Sequence, residues 1–221
     1  MSQSNNKELW STKARREVSD IIEKIKQLPF IKGMMDGTLS LKSFGKYIGQ
    51  DIFYCEEYSK SLKILSQRLK KYSDEYEKIF DNFSNKCLPL IEILKEEYVK
   101  KFKLKEEKEK SEICKKYIDF ERENVEKNSI EEGLSSLLAC FWVYDEIGIY
   151  MYNNQIKGEN IYKIWMDDYS NGPSKSLSEY LKICNEFAEK NSDIGEKMIK
   201  TYRKAVQFEY DFWEDAWEKG N

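Results

Sequence analysis

Apolar residues recur at helical spacing along nearly the whole chain, and no run alternates with the period of two that a half-buried strand needs. In "ELWSTKARREVSDIIEKIKQL", Leu9, Val18, Ile21, Ile22 and Ile25 lie close to one stripe, which stops just before Pro29. "MMDGTLSLKSF" reads as a turn at Gly37 followed by an N-cap at Ser40, and a long helix is expected over 41–71. A further amphipathic stretch covers 74–102, with Pro89 placed to kink or divide it. A helix over 109–126 follows, and Asn128-Ser129 can cap the next, 130–152, which is apolar around most of its circumference and so belongs at the centre. "IYKIWMDDY" reads as a short helix, "SNGPSK" as a turn, and 174–190 and 194–219 as two more helices. With only 3 prolines and 10 glycines, and no linker or repeat, the chain is expected to form one all-α domain, 1–221, of about eight helices.

The charge pattern excludes several partners. The 37 basic and 40 acidic side chains are mixed along the sequence, giving a net charge of −3 and no basic stripe for nucleic acid or an anionic membrane. "LKEEKEKSEICKK" alternates in sign, as a solvated helical face does. The start, "MSQSNNKELWSTKARREV", has no apolar leader core, and no segment reaches the ~20 apolar residues of a membrane span. A soluble, cytoplasmic protein is expected. Its five cysteines (Cys55, Cys87, Cys114, Cys140 and Cys184) are widely spaced, odd in number and without a CxxC, so reduced thiols are the expectation.

The chain has no histidine. Cys-His and Ser-His-Asp catalysis, histidine-ligated haem and the Glu-x-x-His di-iron motif are thereby excluded. Acid–base chemistry must fall to Asp, Glu, Tyr, Lys or Cys.

Three segments place reactive and aromatic side chains one helical turn apart. In "YIGQDIFYCEEY", Tyr47, Asp51 and Tyr54 share a face; in "LSSLLACFWVYDEIG", Cys140 and Tyr144 align; in "FEYDFWEDAW", Glu209 aligns with Phe212 and Trp213. Taken singly, each has a plainer account. Asp51 fits a surface acid, Cys140 a small buried hydrophobe, Glu209 a salt bridge to Arg203 or a lysine, and the aromatics a core. Taken together, carboxylates on aromatic-rich faces are costly to bury without a partner or ligand. Two carboxylates, a thiol and tyrosines suit a flat nitrogenous ring, provided that the three helices converge.

"DGTLSLKSFGKYIGQDIFY", "EEGLSSLLACFWVYDEIG", "IYKIWMDDYS" and "FEYDFWEDAW" resemble, in order and spacing, the corresponding segments of the TenA/thiaminase II family, over almost the whole chain. The resemblance implies a haem-oxygenase-like fold, a homotetramer, and hydrolysis at the exocyclic carbon of a 4-amino-2-methylpyrimidine. The substrate so implied is the aminomethylpyrimidine of thiamin salvage, with thiamin itself as a side substrate. It also implies that neither metal nor organic cofactor is needed.

Carried across by position, Cys140 matches the nucleophile of CFWxY, and Asp51 and Tyr54 match the aspartate and tyrosine of QDxxY. Glu209 and Phe212 match the active-site glutamate and aromatic of ExxFW, with Glu209 as proton donor. Tyr144 closes CFWxY, while Tyr117 and Tyr169 match pocket tyrosines. Three departures stand out: Ala139 replaces a common proline, Phe120 a second tyrosine, and Lys95 a common histidine. A non-catalytic pyrimidine binder on the same fold remains the alternative, as does a helical interaction protein whose aromatics are all core.

Overall fold

A computed structural model describes residues 8–220, with side chains described through residue 217; the first seven residues, read above as lacking an apolar leader, lie outside it. The chain runs through α1 (Trp10–Glu17), α2 (Ser19–Gln27), α3 (Pro29–Asp36), α4 (Leu41–Leu69) and α5 (Asp74–Ile93). A π-helical segment, Leu94–Lys100, then leads by a non-helical strap to α6 (Glu112–Glu126). The rest comprises α7 (Ile130–Asn154), α8 (Lys163–Asp167), α9 (Lys175–Ala188) and α10 (Ser192–Gly220). No strand occurs among the described residues. None of their helices is long and apolar enough to cross a membrane.

Serine starts five of these helices. Ser40, Ser73, Ser111, Ser129 and Ser174 each accept a backbone N–H from the first turn of the helix that follows. At Ser129 the bond is reciprocal: Glu132 reaches back to the Ser129 N–H, closing a capping box. Each cap satisfies a donor that the first turn cannot, an effect worth about 1 kcal/mol.

Two sequence expectations change here. The N-terminal stripe is two helices rather than one, and a third follows it, which raises the number above eight. At the first break the Ile21 and Ile22 N–H groups both turn to the Val18 carbonyl, while the Glu17 carbonyl accepts from Arg203 of α10. A tertiary partner thus takes the bond that helix continuation would have used. The second break is Leu28, extended (φ −56°, ψ 137°) ahead of Pro29, which opens α3 where the sequence reading had placed no helix. Pro89, in contrast, does not divide α5. It lies on an exposed face together with Asn85, so the carbonyl it leaves without a donor is on the water side. The ladder widens only at Leu94.

The core is built around α4, α7 and α10, with α5 and α6 packed on α4 and α9 on α7. Leu134, Leu137 and Leu138 are fully buried, as a central helix requires. Phe141, which the apolar circumference of this helix also placed at the centre, is only partly buried, because one side of it borders a cavity. The strap after the π segment is pinned to α4: Lys46 pairs with Glu107 at 2.9 Å, and Gln50 bonds the Glu109 carbonyl (3.0 Å) and the Ser111 N–H (2.7 Å). That fixes where α6 begins, and hence where Tyr117 points.

Candidate active site

A cavity of about 290 Å³ opens between α4, α5, the π segment, α7 and the α8 region. Its size is at the small end for ligand pockets and suits a single ring with short substituents. Tyr47 and Asp51 come from one face of α4, and Cys140, Phe141, Tyr144 and Asp145 from α7. Phe83, Cys87 and Leu90 come from α5, Leu94 and Tyr98 from the π segment, and Trp165 and Tyr169 from α8 and beyond. Leu94 and Tyr98, four residues apart within the widened segment, reach the same space; π turns of this kind recur at ligand sites.

Of the residues singled out in the sequence, Asp51, Cys140, Tyr144 and Tyr169 line this cavity. All four are partly rather than fully buried. Tyr54, Tyr117, Glu209 and Phe212 are buried and form the layer behind it. Phe212 meets Tyr47 and Tyr54 edge-on at 6.2 and 6.1 Å, and Tyr54 stacks on Tyr117 at 5.0 Å. The convergence of three helices that spacing alone left open is therefore present.

The plainer account holds for Tyr54, Tyr117 and Phe212, which are core, but not for the two carboxylates and the thiol. Arg203 is paired with Asp20 at 2.7 Å, and Glu209 instead accepts the Tyr117 hydroxyl at 2.7 Å. Asp51 faces the cavity, not the outer surface, and so does Cys140. Lys95, half-buried and paired with Glu92, does not line the cavity.

The electrostatics are those of buried acids. Burial raises Asp51 to about 7, opposed by a hydrogen bond from Cys55. Burial raises Glu209 to about 8; the Tyr117 hydroxyl opposes this, and the charge of Asp51 adds to it. Burial also pushes the Cys140 thiol well up, helped by the negative charges of Glu209, Glu121 and Asp51, so an unliganded site holds a neutral thiol. Tyr47 donates to Tyr144 at 3.2 Å, joining α4 to α7 across the cavity floor.

Sequence reasoning missed Glu121. It is 1 % exposed, accepts the Tyr54 hydroxyl at 2.7 Å, and is held largely protonated by burial. It stands four residues after Tyr117, so the one-turn rule applied to Tyr117 would have found it. Tyr58, Phe83, Tyr98 and Trp165 also line the cavity unannounced, since aromatics at helical spacing look like core in a sequence. No group of three or more His, Cys, Asp or Glu side chains suited to hold a metal occurs among the described residues.

The architecture is of the haem-oxygenase-like all-α class. The chain superposes on a domain with a heme oxygenase-like fold from Shewanella denitrificans with a TM-score of 0.69, at 11% identity, covering 95% of this chain and 92% of that one. A TenA homologue from Pyrococcus furiosus superposes with a TM-score of 0.83 at 20% identity, over 94% of this chain and 100% of that one. Residues 15–219 match the TENA/THI-4/PQQC family, and the chain belongs to it.

Among named relatives, the aminopyrimidine aminohydrolase of Bacillus subtilis is 27% identical over 203 residues, 86% of this chain and 82% of that protein. The thiamine biosynthesis multifunctional protein ThiED of Corynebacterium efficiens is 27% identical over 207 residues, 91% of this chain. This chain spans only 27% of that protein, and 20% of its Corynebacterium glutamicum counterpart.

Proposed function

We propose that this protein is a cysteine-dependent aminopyrimidine aminohydrolase. It converts 4-amino-5-aminomethyl-2-methylpyrimidine and water into the hydroxymethylpyrimidine and ammonia, in thiamin salvage, with thiamin cleaved by the same route. The observation that carries the reading is that the thiol of Cys140 and the carboxyl of Asp51 face one small, tyrosine-walled cavity. The name and length of the Bacillus subtilis relative support it.

In this scheme the ring enters between the aromatic walls, and Asp51 holds a ring nitrogen. Cys140 Sγ bonds to a ring carbon beside that nitrogen, which takes up the thiol proton. Its raised value keeps the thiol protonated until then, so the proton is available where the ring needs it. The electron pair released by dearomatisation expels the amine from the exocyclic carbon, and Glu209 protonates it to ammonia. A carboxyl raised to about 8 is still protonated near neutral pH and suits this donor role. Water then adds to the exocyclic carbon and returns a proton to Glu209. The C–S bond breaks, the ring nitrogen gives its proton back to sulfur, and aromaticity is restored. Glu209 lies in the layer behind Cys140, so the exocyclic carbon must point to the cavity floor.

Ammonia release from the aminomethylpyrimidine by the purified protein tests this. Turnover in the parent and none in Cys140→Ala is the expected result. Undiminished turnover in Cys140→Ala would remove the nucleophile, and tight pyrimidine binding without turnover would leave a binding protein.

A further inference from the structure

Asp51 has an acceptor role to fill and almost nothing to hold it in the charged form. The groups that face it from each packed element are acids, phenols or thiols. They are Tyr47 on α4, Cys87 on α5, Tyr98 on the π segment, Cys114 on α6, Cys140 and Tyr144 on α7, Tyr169 after α8, and Glu209 on α10. Lys86, the cation lining the same cavity, is engaged with Ser176 of α9 at 3.3 Å. The donor that does reach Asp51 comes from its own helix. Cys55, one turn later and 5 % exposed, directs its thiol at Oδ1 across 3.8 Å.

We infer that Cys55 is a positioning residue for the substrate-binding carboxylate of Asp51: its thiol occupies Oδ1 as a donor and leaves Oδ2 to a ring nitrogen. Three features of the pair favour this. A spacing of four along α4 fixes both side chains on one face, so the contact survives without any loop to order it. A thiol gives one weak donor, enough to orient an oxygen without neutralising it as a lysine would. Cys55 also stays a thiol, because burial and the charge of Asp51 push it well up, so it remains a donor. Against burial, the Cys55 bond is the influence that lowers Asp51.

The inference deepens the hydrolase reading, and its catalytic consequence rests on that reading; its electrostatic content does not. The test is a carbon-13 NMR titration of the Asp51 carboxyl in the unliganded parent, Cys55→Ala and Cys55→Ser, with the signal assigned by its loss in Asp51→Asn. Removing the donor in Cys55→Ala is expected to raise the Asp51 midpoint by about half a pH unit, roughly threefold in the proton equilibrium. The hydroxyl of Cys55→Ser is expected to restore or lower it. The acidic limb of kcat/KM for the aminomethylpyrimidine should move by the same amount and in the same order. Superimposable titrations for all three proteins would overturn the inference, including where Cys55→Ala lowers Tm, since a thiol that only fills space moves stability but not the Asp51 midpoint. Shifted titrations in a protein without turnover would retain the Cys55–Asp51 pair and retire the hydrolase reading.

Discussion

The Tyr117 hydroxyl donates to Oε1 of Glu209 across 2.7 Å, and behind them Tyr54 donates to Glu121 at the same distance. Two buried carboxyls are thus each held by a phenol, and among the described residues no lysine or arginine is hydrogen-bonded to either. Burial raises both acids and the phenol hydrogen bonds only partly oppose it, which makes both proton donation and folding depend on pH.

The sign follows from linkage. Glu209 titrates near 4.5 when exposed and at about 8 in the folded protein. Between those values the unfolded chain has lost a proton that the folded chain retains, so folding loses stability as pH rises. The contribution is complete below about 4.5 and gone above about 8. Glu209→Gln removes this dependence and leaves that of Asp51, which has the same sign up to about 7. Relative to the parent, the variant is expected to gain on the order of 3 kcal/mol between pH 5 and pH 8. Denaturant titrations at both pH values check it; an offset that does not change with pH would contradict a neutral buried Glu209.

Cys140 is partly accessible, while Cys55, Cys87, Cys114 and Cys184 are buried. Iodoacetamide is therefore expected to label Cys140 first. Because the thiol is held up by burial and by neighbouring acids, the rate should climb roughly tenfold per pH unit through neutrality without levelling off. Hydroxymethylpyrimidine should slow the labelling by filling the cavity. Peptide mapping after timed quenching reads both effects, and a rate that levels off below pH 7 would show a thiolate where a thiol is expected.

How far the site could be read from the sequence depended on whether its residues announce themselves by type. Cys140, Asp51 and Glu209 stood out because a thiol or carboxylate on an aromatic helix face is chemically conspicuous, and Ser40 and Ser129 because caps act through adjacent residues. Phe83, Tyr98 and Trp165 did not stand out, since a cavity wall and a core have the same composition until the helices are placed. The π segment was invisible for another reason: Leu94 and Tyr98 keep a spacing of four that a regular helix shares. The break at Val18 depends on Arg203, far along the chain, and no local pattern carries it.

Glu121 gives the missed part of the site a direct test. Tyr54→Phe removes the donor and leaves a buried carboxyl oxygen without it, at an expected loss of about 1–3 kcal/mol in unfolding free energy. Removing both partners, in Tyr54→Phe/Glu121→Leu, should cost less than the sum of the two single changes, because the orphaned acceptor goes with its donor. A double-mutant cycle in urea measures this coupling, and strict additivity would mean that the pair does not interact in solution.

Gly148 and Tyr169 offer a way to move one cavity wall without touching the chemistry. Gly148 lies on the face of α7 against which the Tyr169 ring packs, and a Cβ there would run into that ring. Alanine is the better helix former by about 1 kcal/mol, so Gly148→Ala does not weaken α7 itself; the clash must be relieved by displacing Tyr169. Tyr169 also packs on Trp165 at 5.0 Å, so the shift carries into the aromatic wall facing Cys140. The expected outcome is a rise of about tenfold or more in KM for the aminomethylpyrimidine, in line with the ~1.4 kcal/mol per decade of lost binding. The helical circular dichroism and the pH dependence of kcat should stay unchanged. Tyr169→Ala in the Gly148→Ala background should add little further loss, because the ring it removes has already left the wall; a full additional loss would show that Gly148 does not act through Tyr169.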